Sequence, residues 1–144
     1  MRDIIILKVW GALGDLHAQR IFKMAGNYES ALRAAGCEVL QFEEFGSYQG
    51  EWFALVDHGG DLGVVSGRYG SCSGCDAFEA EFGWGEDEES EEYAVRLADF
   101  GASYLPPLPV SHYIREYEEK SKGDWFDSED QEILNKLREW GSQA

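Results

Sequence analysis

Along the chain the spacing of apolar residues changes several times, and each change marks a different kind of element. Between Ile4 and Trp10 the residues form a short β-branched and apolar run closed by Gly11, which suits a strand. From Asp15 to Ala35 the apolar positions spread out through Leu16, Ile21, Phe22 and Met24. Asn27 is a candidate cap for Tyr28–Ala35 and Gly36 a candidate stop, so this stretch reads as one or two helices. From Cys37 three strand-like runs follow, Val39–Phe45, Trp52–Val56 and Leu62–Val65. The segments between them, Gly46–Gly50 and His58–Asp61, carry turn chemistry and are too short to hold a crossover helix, which predicts an antiparallel meander.

Helical spacing returns after the small-residue loop Gly70–Cys75. Ser90 is a candidate cap for Glu91–Phe100, with Gly101 as its stop, and Pro106, Pro107 and Pro109 mark an extended linker. Val110, Tyr113, Ile114 and Tyr117 fall on one helical face, and Gly123 ends that helix. A last helix begins near Asp127 or Ser128, where Ser128 and Gln131 have capping-box spacing, and Ile133, Leu134, Leu137 and Trp140 form its apolar stripe. These stripes read as core, and the chain has no internal repeat. The expectation is a single α+β domain over residues 1–144, with an antiparallel sheet of about three to four strands, residues about 37–68 among them, packed against flanking helices. The C-terminal helices are expected to cover one sheet face.

A chain of 144 residues can bury roughly 68–70% of its unfolded surface and needs no disulfide or metal to fold. Its 44% hydrophobic and 14% aromatic content separates it from acidic disordered tails. The net charge of −16 repels nucleic acid and anionic membranes, so direct binding to either is not expected. The first residues lack the pattern of a signal peptide and no apolar stretch approaches the ~20 residues of a membrane span, which points to the cytoplasm. Three cysteines without an export signal argue against a disulfide scaffold.

The excess charge is concentrated. Between Cys37 and Val95 fifteen acidic residues stand against one basic residue, Arg68. Within that stretch Asp76, Glu79, Glu81, Glu86, Asp87, Glu88, Glu89, Glu91 and Glu92 run without a lysine or arginine. Self-repulsion of this kind costs stability, so it reads either as a solvated loop that keeps the protein soluble or as a strip that docks on arginines of a partner. The aromatics Tyr48, Trp52, Trp84, Tyr93, Tyr104, Tyr113, Trp125 and Trp140 exceed what a domain of this size must bury. Trp84, between Gly83 and Gly85 beside the acidic run, is the candidate anchor, with a core plug under a loop as the alternative. The candidate partner-binding residues are therefore Trp84, Glu86, Asp87, Glu88, Glu89, Glu91 and Glu92.

The sharpest local feature is the Cys72-x-x-Cys75 loop, which has three readings. The two thiolates fit half of a zinc site, but Cys37, His17, His58 and His112 offer no matching second short spacing. A helix after Cys72 favours dithiol chemistry, which Asp76, Glu79 and Glu81 oppose by disfavouring the thiolate. The third reading is a tight capped turn with both small cysteines packed inward. No cofactor is expected. No nucleophile elbow or assignable carboxylate pair is present, and Gly11–Gly14 lacks the spacing of a phosphate-binding fingerprint, so the chain reads as non-enzymatic with no catalytic residue assigned.

The segments Phe45-Gly46-Ser47-Tyr48-Gln49-Gly50-Glu51-Trp52 and Tyr69 to Gly83, in the middle third of the chain, resemble a family of small proteins encoded in phage and bacterial genomes. The family brings no established chemistry or binding residues to carry over. The resemblance implies a phage origin and action in the host cytoplasm. By analogy with small acidic phage proteins, it implies binding to a host protein with a basic surface that belongs to a nucleic-acid machine. RNA polymerase or its sigma factor comes first among such partners, for a regulator of transcription, with an anti-CRISPR-type inhibitor of a nuclease complex as the alternative.

Overall fold

In a computed structural model, which describes residues 25–72, 74–83 and 88–143, the three strand-like runs pair into one antiparallel sheet. Strand β1 spans Glu38–Gly46, β2 Gly50–His58 and β3 Asp61–Tyr69, in the order β1-β2-β3. The two turns set the register: Gly46 stands opposite Gly50 and His58 opposite Asp61. Five helices surround the sheet among the described residues: α1 (Gly26–Ala34), α2 (Ala77–Phe82), α3 (Glu91–Ala102), α4 (Val110–Lys120) and α5 (Ser128–Gln143). The expected strand Ile4–Trp10, the helical positions Leu16 to Met24 and the Gly11–Gly14 segment lie outside the described residues.

The central strand explains the layering. Trp52, Ala54 and Val56 join one core with Tyr28 and Leu32 of α1 and Phe78 and Phe82 of α2, and Phe100 of α3 packs against it. Phe53 and Leu55 join a second core with Val110 and Tyr117 of α4 and Ile133, Leu134, Leu137 and Trp140 of α5. Alternating side chains of one strand thus feed opposite faces, which is why Trp52–Val56 reads as an unbroken apolar run. The result is an α+β domain with helices on both faces of the sheet, the C-terminal pair α4 and α5 covering one of them.

Several ends differ from their sequence signals. Asn27 lies inside α1; the N-cap is Ala25, and its backbone N–H is donated to the Glu44 carboxylate at 2.7 Å. A carboxylate from the neighbouring strand does what a local cap would have done. At the other end Gly36 has φ +94, Cys37 N–H bonds to Leu32 C=O at 3.0 Å and Gly36 N–H to Arg33 C=O at 3.0 Å, the Schellman pattern the glycine announced. Ser90 caps α3 as expected, its Oγ accepting the Tyr93 N–H at 3.0 Å. Gly101, in contrast, does not stop α3: it is buried inside the helix against the Ala31 carbonyl of α1, where a Cβ would collide. Helix α5 is capped one residue earlier than the Ser128/Gln131 spacing suggests. Asp130 N–H is donated to Asp127 Oδ1 at 2.9 Å and Asp127 N–H to Asp130 Oδ2 at 3.1 Å, a reciprocal box made by two aspartates. In the proline linker Leu108 pairs with Val64, its carbonyl accepting at 2.7 Å and its N–H donating at 3.0 Å, so part of the outer edge of β3 is covered.

The aromatic surplus is also resolved. Trp52 and Trp140 are fully buried, while Tyr93, Tyr104 and Tyr113 are half-buried. Among the described residues Tyr48 and Trp125 are the large rings left in solvent, 76% and 89% exposed. The surplus was overcounted because the sheet buries rings on both faces, whereas a one-faced sheet would have buried only half as many positions.

Candidate functional site

Tyr69 ends β3 and Ala77 opens α2, and one carboxylate between them, that of Asp76, ties Gly70 to the start of the helix. Asp76 is 5% exposed and accepts four donors. Its Oδ1 takes the Tyr28 hydroxyl at 2.9 Å, the Phe78 N–H at 2.9 Å and the Glu79 N–H at 3.1 Å, and its Oδ2 takes the Gly70 N–H at 2.9 Å. The first two backbone donors are those that a helix start leaves without partners. Gly70 closes the loop on itself, and Tyr28 ties it to the core. Burial, with the neighbouring Asp76 charge adding to it, pushes the Tyr28 phenol well above its ordinary range, which keeps it a proton donor to the carboxylate.

The loop held in this way carries Cys72 and Cys75, which are joined as a disulfide with their Cα atoms 5.2 Å apart. The Cys75 N–H bonds to the Cys72 carbonyl at 3.0 Å and the Cys72 N–H points to Cys75 Sγ at 2.9 Å. Both cysteines are exposed. The expectation that they pack inward is therefore overturned: it is the Asp76 carboxylate, rather than the thiols, that faces the core, because four donors satisfy the charge there. Cys37 lies apart in the core, its thiol raised by burial and its Sγ 3.8 Å from His58 Nδ1. His112 sits on α4 beside Glu116 at 3.7 Å. Among the described residues no group of three or more His, Cys, Asp or Glu is arranged to hold a metal ion, so Cys37, His58 and His112 are not brought to Cys72 and Cys75. His17 lies outside the described residues.

The acidic strip occupies the start of α3. Glu88, Glu89, Glu91 and Glu92 are exposed around the Ser90 cap, and Glu91 and Glu92 stand in the first turn, where the helix dipole favours negative charge. The helix under them is fixed, packed along α1 at Gly101 and joined to α2 by Arg96, whose guanidinium donates to the Glu81 carbonyl at 2.7 Å. Trp84, Glu86 and Asp87 lie outside the described residues. The exposed rings Tyr48 and Trp125 stand elsewhere, one in the β1–β2 turn and one between α4 and α5.

On the opposite face a small cleft of about 130 Å³ opens between β2, β3 and α4, with Glu51, Arg68, Tyr113 and Tyr117 around it. Tyr117 donates its hydroxyl to Glu51 at 2.6 Å, and burial first, then this carboxylate, drives its pKa far above the ordinary phenol. Next to it Lys120 bonds Asp130 at 2.7 Å. The Tyr117–Glu51 and Lys120–Asp130 pairs tie the sheet and the C-terminal helices together beside the cleft. Among the described residues no helix is long and apolar enough to cross a membrane.

Compared with protein-family models, with curated proteins and with solved structures, the chain gives no match in any of the three.

Proposed function

We propose that the chain is a non-enzymatic acidic protein that binds a basic surface on a host nucleic-acid machine and inhibits or redirects it, with RNA polymerase or its sigma factor as the first partner and a CRISPR nuclease complex as the alternative. The observation that carries this reading is the strip Glu88, Glu89, Glu91 and Glu92, exposed around the start of a helix that is itself fixed to the core. A rigid presentation lowers the ordering entropy that a floppy acidic tail would lose on binding, and like charges held together steer a basic partner at long range. The net charge of −16 works in the same direction and against direct contact with nucleic acid. Support for this class of machine comes from the resemblance in the middle third of the chain.

The test is a titration of the purified protein against core RNA polymerase, free sigma factor and a nuclease effector complex, at about 50 and about 200 mM salt, with a basic protein of unrelated fold as control. Binding to one of these machines and not to the control, weakened by salt, is the expected result. The variant Glu88→Lys, Glu89→Lys, Glu91→Lys, Glu92→Lys should bind about tenfold or more weakly and with a flatter salt dependence. Unchanged affinity of that variant at low salt would sink the electrostatic reading, and equal binding to the control would sink the specific one.

A further inference from the structure

We propose that Cys72 and Cys75 form a reversible disulfide that exchanges with small thiols, with Cys72 as the sulfur attacked and Cys75 as the leaving and resolving thiol. This activity is independent of the acidic strip on α3 and rests on different residues.

Three observations converge on it. Both cysteines are exposed, so an incoming thiol reaches the pair without unfolding the domain. The loop that carries them is closed by bonds that do not involve the sulfur–sulfur bond. Asp76 holds Gly70 N–H at 2.9 Å and the Tyr28 hydroxyl at 2.9 Å, and Cys75 N–H holds the Cys72 carbonyl at 3.0 Å. A reduced pair therefore stays face to face, and re-closure is an intramolecular step with little ordering left to do. The two sulfurs also have different surroundings. Cys75 Sγ lies against the Gly70 backbone, so close that a Cβ on Gly70 would stand 2.7 Å from it, which closes that approach. No such crowding against Gly74 is seen at Cys72 Sγ, which a Cβ on Gly74 would meet only at 4.0 Å, an ordinary contact.

The Cys72 N–H directed at Cys75 Sγ at 2.9 Å, closer than the Cys72 carbonyl at 3.2 Å, favours one order of events. An N–H donor stabilises negative charge on sulfur, and the better-stabilised thiolate leaves more readily. An incoming thiolate attacks Cys72 Sγ, the Cys72–Cys75 bond breaks, and the new bond joins Cys72 to the incoming sulfur. Cys75 departs as a thiolate against the Cys72 N–H and takes a proton from water. A second small thiolate then attacks the incoming sulfur of the mixed disulfide and releases Cys72. The pair has gained two electrons and two protons, and two small thiols have become one small disulfide. In reverse, Cys75 thiolate attacks the mixed disulfide at Cys72 and closes the loop. Asp76 is adjacent, but its carboxylate is fully engaged by four donors, which reduces its repulsion of a thiolate at Cys75.

The experiment uses the full chain in glutathione buffers of graded ratio, quenched by alkylation and read by intact mass and peptide mapping. The wild type is expected to pass between a Cys72–Cys75 disulfide and two alkylated thiols across the series, with its far-ultraviolet circular dichroism unchanged. Quenched early in its reduction by glutathione, the wild type should carry the mixed-disulfide glutathione at Cys72 and the alkyl group at Cys75. A pair that stays disulfide in excess reduced glutathione, or stays dithiol in excess glutathione disulfide, overturns reversibility. A mixed disulfide at Cys75, or equal amounts at the two cysteines, overturns the assignment of Cys72.

Discussion

The Tyr28 hydroxyl donates to the Asp76 carboxylate at 2.9 Å across forty-eight residues of sequence, and this contact joins α1 to the cysteine loop. Tyr28 is 1% exposed, with its ring 5.2 Å from Trp52 and 6.0 Å from Phe78, so the hydroxyl has no freedom to point elsewhere. Replacing Tyr28 by Phe keeps the ring packing and removes one of the four donors; a loss of about 1–2 kcal/mol is expected. Asp76→Ala leaves the Tyr28 hydroxyl and the Gly70 amide unpaired as well and should cost about 2–4 kcal/mol. Urea unfolding with unchanged m-values checks both, and no loss of stability in Tyr28→Phe would show that the carboxylate is held by its backbone donors alone.

The Lys120–Asp130 pair gives the fold a stability plateau with two edges. Burial pushes the Asp130 carboxyl up, but the Lys120 ammonium and the Asp127 N–H together outweigh it and hold it below its ordinary value. Lys120 is held above its ordinary value, chiefly by its hydrogen bond to Asp130. The carboxylate's contribution is present above the unfolded carboxyl pKa of about 3.9 and is lost as pH falls through the lower folded one. The ammonium's contribution is present below the unfolded lysine pKa of about 10.4 and is lost as pH rises through the higher folded one. The lysine is nearly half exposed, so Lys120→Met is expected to lower stability by no more than about 1 kcal/mol at neutral pH and to shrink the difference from wild type at both extremes. Thermal melts of both proteins from acid to alkaline pH measure this.

Alkaline titration should reveal the buried phenols. Burial is the first cause that raises Tyr28, Tyr69, Tyr104, Tyr113 and Tyr117, with Tyr69 pushed up to about 12. Each contributes stability that is complete below the unfolded phenol pKa of about 10 and is lost as pH rises through the folded value. Phenolate absorbance is therefore expected to reach well under half of the signal of all seven tyrosines at pH about 10.5 and to complete its rise only with unfolding, seen by circular dichroism. Full ionisation before any loss of structure would contradict the buried placements.

Gly67 and Trp140 probe the two cores separately. A Cβ at Gly67 would stand 2.7 Å from three atoms of the Trp52 indole, which is fully buried, so Gly67→Ala should destabilise by about 1–3 kcal/mol and shift the tryptophan emission. Trp140 fills the opposite core and donates its Nε1–H to Gln41 at 2.8 Å; Trp140→Ala should cost about 3–5 kcal/mol. Gln41→Leu is expected to cost about 1–3 kcal/mol, because the buried indole N–H would lose its acceptor. Equilibrium unfolding followed by fluorescence separates these outcomes.

Local signals in the chain determined the meander, the helix starting at Ser90 and the helices after the proline linker. Turn residues, Ser90 and the apolar spacings act over a few positions, and the physics that reads them is equally local. The α+β class followed from their order. What the tertiary structure alone decided concerns groups brought together over long stretches of chain. Asn27 yields its place to an uncapped Ala25 because Glu44 arrives from β1, and Gly101 becomes a crossing point because α1 lies against it. Trp52 and Trp140 are core because both sheet faces are covered, while Trp125 is left in solvent. Asp76 looked like one member of an acidic run; whether a carboxylate faces water or becomes the hub of a buried network depends on donors such as the Tyr28 hydroxyl, which no spacing within the run encodes. The Cys-x-x-Cys spacing placed two sulfurs within reach, but their exposure and unequal surroundings came from the way that hub folds the loop outward.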